Sequence, residues 1–192
     1  NEMFNDFHTP WAGHKYFARD LVNLVKPKVI VELGTYRGTS FLSFAEGISI
    51  NNLDTKAYAI DTWEEDSHSG KYNGVSIKDN LELLLNKYYP EANIFLIQNR
   101  FENVVNDFAD NSIDILHIDG WHTYDAVSND YNTWKNKVSN EGVILFHDIK
   151  VIGGDFGVHK FWHQLKKDNI DRCLEFDYSN GLGILFMSNK KY

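Results

Sequence analysis

Short runs of aliphatic and β-branched residues recur five times along the chain, each followed by a polar or glycine-containing stretch. Residues 28–33 (KVIVEL), 57–61 (AYAID), 93–97 (NIFLI), 113–118 (IDILHI) and 143–147 (VILFH) predict largely buried strands. Segments with apolar residues at helical spacing alternate with them. Residues 11–25 precede the first strand and stop before Pro27, while 40–48 and 76–89 follow the first and second strands. In the last of these, Ser76 and Asp79 resemble a capping box, and Leu81, Leu84 and Leu85 form an apolar face. Residues 101–108 predict a short helix after the third strand, and 123–138 and 158–167 predict helices after the fourth and fifth. This alternation predicts an α/β fold, doubly wound, with helices on both faces of a mostly parallel sheet. The rhythm changes at the end, where 173–176 and 182–187 flank a turn containing Asn180-Gly181 and predict an antiparallel C-terminal hairpin. No internal repeat or linker interrupts the pattern, so one domain is expected over 1–192, with 1–26 an N-terminal helical segment. Residues 62–74 (TWEEDSHSGKYNG) form the one long irregular stretch, readable as a mobile lid or as a plain surface loop.

Composition narrows the function classes. The chain has 192 residues, 43% of them hydrophobic, enough for a full core. Nineteen Lys and Arg against 27 Asp and Glu give a net charge of −8, which argues against nucleic-acid binding through phosphate neutralisation. The single cysteine, Cys173, excludes an internal disulfide and reads as a small core residue. No apolar run reaches the ~20 residues of a membrane span, and Asn1-Glu2-Met3 does not open a signal peptide, so a cytoplasmic location is expected.

The first strand runs into Glu32-Leu33-Gly34-Thr35-Tyr36-Arg37-Gly38-Thr39-Ser40, a strand end, a glycine turn and a helix start. Gly34 allows a sharp exit, and Gly38 admits a ligand or the next helix close to the backbone. A dinucleotide loop wants a second glycine where Tyr36 stands, so a nucleoside ligand without a pyrophosphate suits this loop better. Glu32 is an acid near the end of a buried strand, costly there without a partner. Asp61 ends the second strand, where a ribose-binding carboxylate is expected. These residues resemble the cofactor motifs of the class I S-adenosylmethionine-dependent methyltransferases, and the C-terminal hairpin fits that family's Rossmann-like, seven-stranded sheet. The resemblance implies that Glu32, Gly34, Thr35, Gly38 and Ser40 hold the methionine part, that Asp61 holds the ribose, and that residues 98–101 lie near the adenine. Trp63 reads as a ring packed on the cofactor or as a shield at the sheet edge.

The fourth strand ends in His117-Ile118-Asp119-Gly120-Trp121-His122 and the fifth in Phe146-His147-Asp148. In a parallel sheet both tips share an edge with Gly34 and Asp61. If the fourth strand neighbours the first, Asp119, His122, His147 and Asp148 converge. Two carboxylates and an imidazole suit Mg²⁺, Mn²⁺ or Fe²⁺, and a metal there lowers the pKa of a bound hydroxyl. Without a metal, His122 or His147 takes the proton directly. His117, inside its strand, reads as a satisfied core histidine. His122 and Asp148 have a structural alternative as helix caps or loop braces.

The segment 118–124 (IDGWHTY) and the later His147-Asp148 resemble a subgroup of bacterial sugar and natural-product O-methyltransferases, with which 11–14 and 180–183 are compatible. That resemblance implies metal ligation by Asp119 and Asp148, with His147 where relatives often carry an acid. The expected function is S-adenosylmethionine-dependent O-methylation of a sugar, glycan precursor or related small molecule, with or without a divalent cation. Asp119, His122 and His147 are the expected catalytic groups, and Asp119, Asp148 and His147 the expected metal ligands. Metal-dependent oxidation or hydrolysis, and a non-catalytic module of a glycan-assembly system, are the alternatives; homo-oligomerisation stays open. His159 and His163, four apart in a segment with Phe161, Trp162 and Leu165, read as part of an ordinary packing helix. Residues 153–155 (GGD) border the acceptor pocket or form a plain connection.

Overall fold

The computed structural model describes residues 9–64 and 76–188. All seven expected strands form: β1 Val29–Leu33, β2 Lys56–Asp61, β3 Asn93–Gln98, β4 Ile113–Ile118, β5 Val138–His147, β6 Cys173–Phe176 and β7 Leu182–Phe186. They make one sheet in the order β3-β2-β1-β4-β5-β7-β6. The first five run parallel. β7 lies antiparallel between β5 and β6. The decisive neighbour pair is β1 with β4, Glu32 standing opposite His117 and Leu33 opposite Ile118. Here the winding reverses, the place where open α/β sheets form a ligand crevice.

The helices are α1 Lys15–Val25, α2 Thr39–Ile50, α3 Ile77–Tyr88, α4 Phe101–Val104, α5 Tyr124–Trp134 and α6 Val158–Asp168. One face of the sheet packs Ile30, Ala57, Ala59 and Ile115 beneath Leu21, Phe41, Phe44 and Leu81. The other packs Val31, Leu33, Leu116 and Phe146 against Val127, Trp134, Phe161 and Trp162. Two-sided burial explains the continuous apolar runs of β1 and β4.

Several boundaries differ from the sequence pattern. The N-terminal helix begins as a 3-10 turn over Pro10–His14. The weak 101–108 segment breaks after Val104 into a 3-10 turn, Val105–Asp107. β5 starts at Val138, five residues early, because its register against β4 shifts between Ile113 and Ile115. The surplus residues Asn140-Glu141 are exposed and mimic a loop in the sequence. β3 is an edge strand with Phe95 43% exposed, not a largely buried one. From residue 65 on, the expected lid or loop 62–74 lies outside the described residues. Among the described residues, no helix is long and apolar enough to cross a membrane.

Candidate active site

A cleft of about 780 Å³ opens at the carboxyl ends of β1, β2, β4 and β5. Gly34, Thr35, Tyr36, Thr39, Ser40 and Asp61 line one part, and Asp119, His122, His147 and Asp148 another. The condition set by the sequence, that β4 adjoin β1, is therefore met.

The glycine loop is fixed by close approach. Gly34 has φ +86°, and a Cβ there would stand 2.0 Å from the Asp119 carbonyl oxygen, so the β1 turn touches the β4 tip only with glycine. Gly38 has φ +84°, and its missing Cβ makes room for Leu81 of α3 at 2.3 Å. Gly38 does not line the cleft, which decides between ligand and helix in favour of the helix. The Asp61 carboxylate accepts from Thr35 N–H and Tyr36 N–H at 2.8 Å each through Oδ2, and from Trp63 N–H at 2.7 Å through Oδ1. Trp63 in turn donates from Nε1 to the Tyr36 carbonyl at 3.0 Å. Its ring packs into the core under the loop and does not face the cleft, so the expectation of a ring on the cofactor is corrected.

Glu32 also moves. It is fully buried, lies outside the cleft lining, and accepts from His117 Nδ1–H at 2.8 Å. His117 Nε2 accepts from the Trp11 indole at 3.1 Å; an indole only donates, so the His117 proton sits on Nδ1. His117 is thus a satisfied core histidine, and Glu32 is its partner rather than a direct cofactor contact. The hydroxyls of Thr35 and Thr39 line the cleft and are buried without a hydrogen-bond partner, as expected of groups shaped for a polar ligand.

At the β4 and β5 tips, His122 Nε2 lies 3.0 Å from Asp148 Oδ2 and 3.6 Å from Asp119 Oδ1. His147 Nδ1 lies 3.4 Å from Asp119 Oδ1 and 3.4 Å from Asp148 Oδ1. Burial disfavours charge on His122, but hydrogen bonds to Asp119 and Asp148 outweigh it and push its pKa up to about 10. His147 rises as well, its burial outweighed by Asp119 and then Asp148, and His147 holds Asp119 far below the carboxylate range against burial. With its pKa at about 10, His122 carries its proton near neutral pH, and the shift at His147 has the same direction. His122 and Asp148 do not cap helices: Thr123 caps α5 by accepting from Ala126 N–H, and Gly157 stands at the start of α6.

Ligand atoms of Asp119, His122 and Asp148 all lie within 4.8 Å of one another. The metal-competent trio among the described residues therefore contains His122 in place of the expected His147. At its other nitrogen, His147 donates from Nε2 to the Ser179 carbonyl at 3.1 Å. His14, which burial and then His147 push down to about 4, approaches the same carbonyl at 3.2 Å. Asn180 donates to Asp148 Oδ1 at 2.8 Å, so the β6–β7 turn orients both β5-tip residues. Phe156 stacks on His122, ring centroids 4.8 Å apart.

Comparison with known proteins adds identity to this geometry. A family model described as a methyltransferase domain matches residues 31–149, from β1 past the tip of β5. The chain belongs to that methyltransferase family. A protein of Sinorhizobium fredii, y4gI, is 38% identical over 183 residues, covering 95% of this methyltransferase chain and 20% of the relative. A protein of Acanthamoeba polyphaga mimivirus is 33% identical over 149 residues, covering 76% and 63%. The chain thus spans less than two thirds of either relative. Among solved structures, an S-adenosylhomocysteine-bound methyltransferase of Podospora anserina aligns with TM-score 0.64 and 18% identity, covering 90% of this chain and 77% of its own. The O-methyltransferase TomG of Streptomyces achromogenes, involved in tomaymycin synthesis and complexed with S-adenosylmethionine, aligns with TM-score 0.64 and 14% identity, covering 92% and 80%.

Sequence reasoning passed over Thr39, Asn180 and Asp130 as cleft residues. Thr39 and Asn180 carry no distinguishing local signal. Asp130 does: it sits on the apolar stripe Val127-Asp130-Trp134 of α5, where an acid is out of pattern.

Proposed function

We propose that this chain is an S-adenosylmethionine-dependent O-methyltransferase acting on a hydroxyl of a sugar, glycan precursor or related small molecule. One observation carries the reading: a single cleft is bordered both by the glycine loop, with its unpartnered Thr35 and Thr39 hydroxyls, and by the Asp119–His122–His147–Asp148 group. The cofactors carried by the Podospora and Streptomyces structures support the choice of cofactor, and the 118–124 motif with His147-Asp148 supports the acceptor class. When bound, S-adenosylmethionine supplies an electrophilic methyl group on a sulfonium.

The residues of this chain then have distinct tasks. Gly34, Thr35, Thr39 and Ser40 cradle the amino-acid part, and Asp61 keeps lone pairs for the ribose hydroxyls after accepting its three N–H groups. Asp119 and Asp148 orient the acceptor hydroxyl in line with the methyl group. This pair, whose charge His122 and His147 balance, holds the hydroxyl while the proton lost as the C–O bond forms leaves to water through the open cleft. Asp119, His122 and Asp148 fit a divalent cation by donor type and spacing, and such a cation would lower the pKa of a coordinated hydroxyl.

Calorimetry with S-adenosylhomocysteine, with and without Mg²⁺, tests the cofactor. Transfer of labelled methyl groups to a panel of glycosides tests the reaction. Asp119→Ala is expected to abolish transfer while leaving cofactor binding in place; intact transfer to a proven acceptor would sink the assignment.

A further inference from the structure

One wall of the cleft comes from the segment that leads into α1. Thr9, Pro10 and Trp11 line it together with His147, Asp148 and Asn180. The segment is seated on the β6–β7 turn: a Cβ on Gly13 would collide with the Ser179 side chain, and the Trp11 ring centroid stands 6.2 Å from that of His147. Thr9 precedes the 3-10 turn Pro10–His14, a place where a threonine hydroxyl ordinarily accepts from a backbone N–H of the first turn. Here the Thr9 carbonyl accepts from Ala12 N–H at 3.0 Å, while the hydroxyl caps nothing. Its oxygen is buried without a hydrogen-bond partner, on a residue that borders the cleft. A buried hydroxyl is costly to leave unpaired, and a ligand is the partner a cleft can supply.

Asn180 offers the complementary group. Its Nδ2 donates to Asp148 Oδ1 at 2.8 Å, which fixes the side chain beside one of the two acids assigned to the reacting hydroxyl. Its amide oxygen accepts no hydrogen bond among the described residues. Next to the carboxylates, this end of the cleft therefore presents one fixed acceptor and one hydroxyl able to donate. A second hydroxyl group satisfies both, giving its proton to Asn180 Oδ1 and taking one from Thr9 Oγ1. An ether, a carbonyl or a methylene in its place leaves the Asn180 oxygen without a donor. We infer that Thr9 and Asn180 hold the acceptor hydroxyl adjacent to the one methylated, so that this methyltransferase selects vicinal diols. The inference rests on the O-methylation reading proposed above and narrows its acceptor class.

The test follows labelled methyl transfer from S-adenosylmethionine to the methyl pyranosides of glucose, mannose and galactose and to their monodeoxy analogues. The unsubstituted protein should methylate a parent glycoside with a kcat/KM about 10- to 100-fold above that of the analogue lacking the adjacent hydroxyl, the worth of two hydrogen bonds. Thr9→Val, similar in shape, should lose about 3- to 10-fold with the parent, mainly in KM, and little with the deoxy analogue. Thr9→Ser, which keeps the hydroxyl, should restore the preference. Calorimetric affinity of Thr9→Val for S-adenosylhomocysteine should not fall, nor should its unfolding midpoint, because the hydroxyl it removes has no partner in the protein. A deoxy analogue as good as its parent, or an equal loss in Thr9→Val on both acceptors, would overturn the inference. So would a fall in cofactor affinity, which would give the Thr9 hydroxyl to the cofactor. If Thr9→Val does not fold, the comparison of parent and deoxy glycosides on the unsubstituted protein decides alone. Transfer to no glycoside of the panel, with S-adenosylhomocysteine bound, would instead remove the sugar reading itself, and this inference with it.

Discussion

His117→Leu removes the donor of a buried acid and the acceptor of a buried indole in one step. Glu32 and His117 are both fully buried, joined at 2.8 Å, and the second carboxyl oxygen of Glu32 has no partner. Loss of one member of such a pair costs about 3–5 kcal/mol, because the other stays behind without compensation. The Trp11 N–H, 3.1 Å from His117 Nε2, would add about 1–3 kcal/mol as a stranded donor. Against a typical domain stability of about 5–15 kcal/mol, this is a large share. Reversible urea unfolding at low temperature would measure it in His117→Leu, Glu32→Leu and the double variant. The double variant should be more stable than His117→Leu alone, since two apolar side chains replace the pair without leaving a lone acid. A cost below about 1 kcal/mol for His117→Leu, or a double variant no better than the single, would refute the pairing. Glu32→Gln should bind S-adenosylhomocysteine nearly as well as the unsubstituted protein, because Glu32 does not line the cleft.

Four further outcomes are expected. Gly34→Ala, which places a Cβ 2.0 Å from the Asp119 carbonyl at φ +86°, should cost about 2–5 kcal/mol in thermal unfolding; an unchanged midpoint would contradict the close approach. Hydrogen bonds from Trp162 first, then Lys166 and Lys150, hold Glu175 down to about 2 against partial burial. A depressed carboxylate contributes stability above its ordinary 4.5 that is lost as pH falls toward 2, so midpoints should fall across that window and fall less in Glu175→Gln. Mn²⁺ or Mg²⁺ should raise the unfolding midpoint by mass action, and Asp119→Asn should abolish the rise; a midpoint indifferent to both ions would exclude a cation at this trio. Asp61→Asn should destabilise the ligand-free protein by about 1.5–3 kcal/mol, measured by urea unfolding, because one amide oxygen cannot serve three N–H donors.

The features legible in the sequence were those written in local pattern. Alternating strand and helix periods give the doubly wound sheet, and Asn180-Gly181 gives the hairpin turn. Glycine and acid at successive strand ends place Gly34, Asp61, Asp119 and Asp148 on one edge. What stayed hidden depends on side-chain direction across the sheet. Glu32 stands opposite His117 in register, so two residues assigned to different tasks form one buried pair. Trp63 turns into the core because its indole finds the Tyr36 carbonyl there. His122, not His147, completes the metal-competent trio, while the carbonyl of Ser179, a residue of a distant turn, takes Nε2 of His147. No spacing along the chain encodes that contact.

Backbone strain ties these corrections together. Tyr36 follows β1 at φ 48°, Trp63 follows β2 at φ 48° and Asp148 follows β5 at φ 61°. Each is a non-glycine residue in the left-handed region, at about 1–3 kcal/mol. All three sit at turns that border the cleft, and each is held by a side chain of the site. Asp61 fixes Tyr36 and Trp63 through their N–H groups. Asn180 fixes the Asp148 carboxylate and, through its carbonyl, accepts from Lys150 N–H just beyond. A carboxylate that accepts from three backbone donors is ordered before any ligand arrives, which lowers the entropic cost of binding there. Asp61 is therefore a structural residue and a ribose candidate at once, and loss of cofactor affinity in Asp61→Asn would by itself distinguish neither. The separation comes from the ligand-free stability of that variant: a loop that keeps its stability yet loses affinity points to direct contact, and a loop that loses both points to the three N–H bonds.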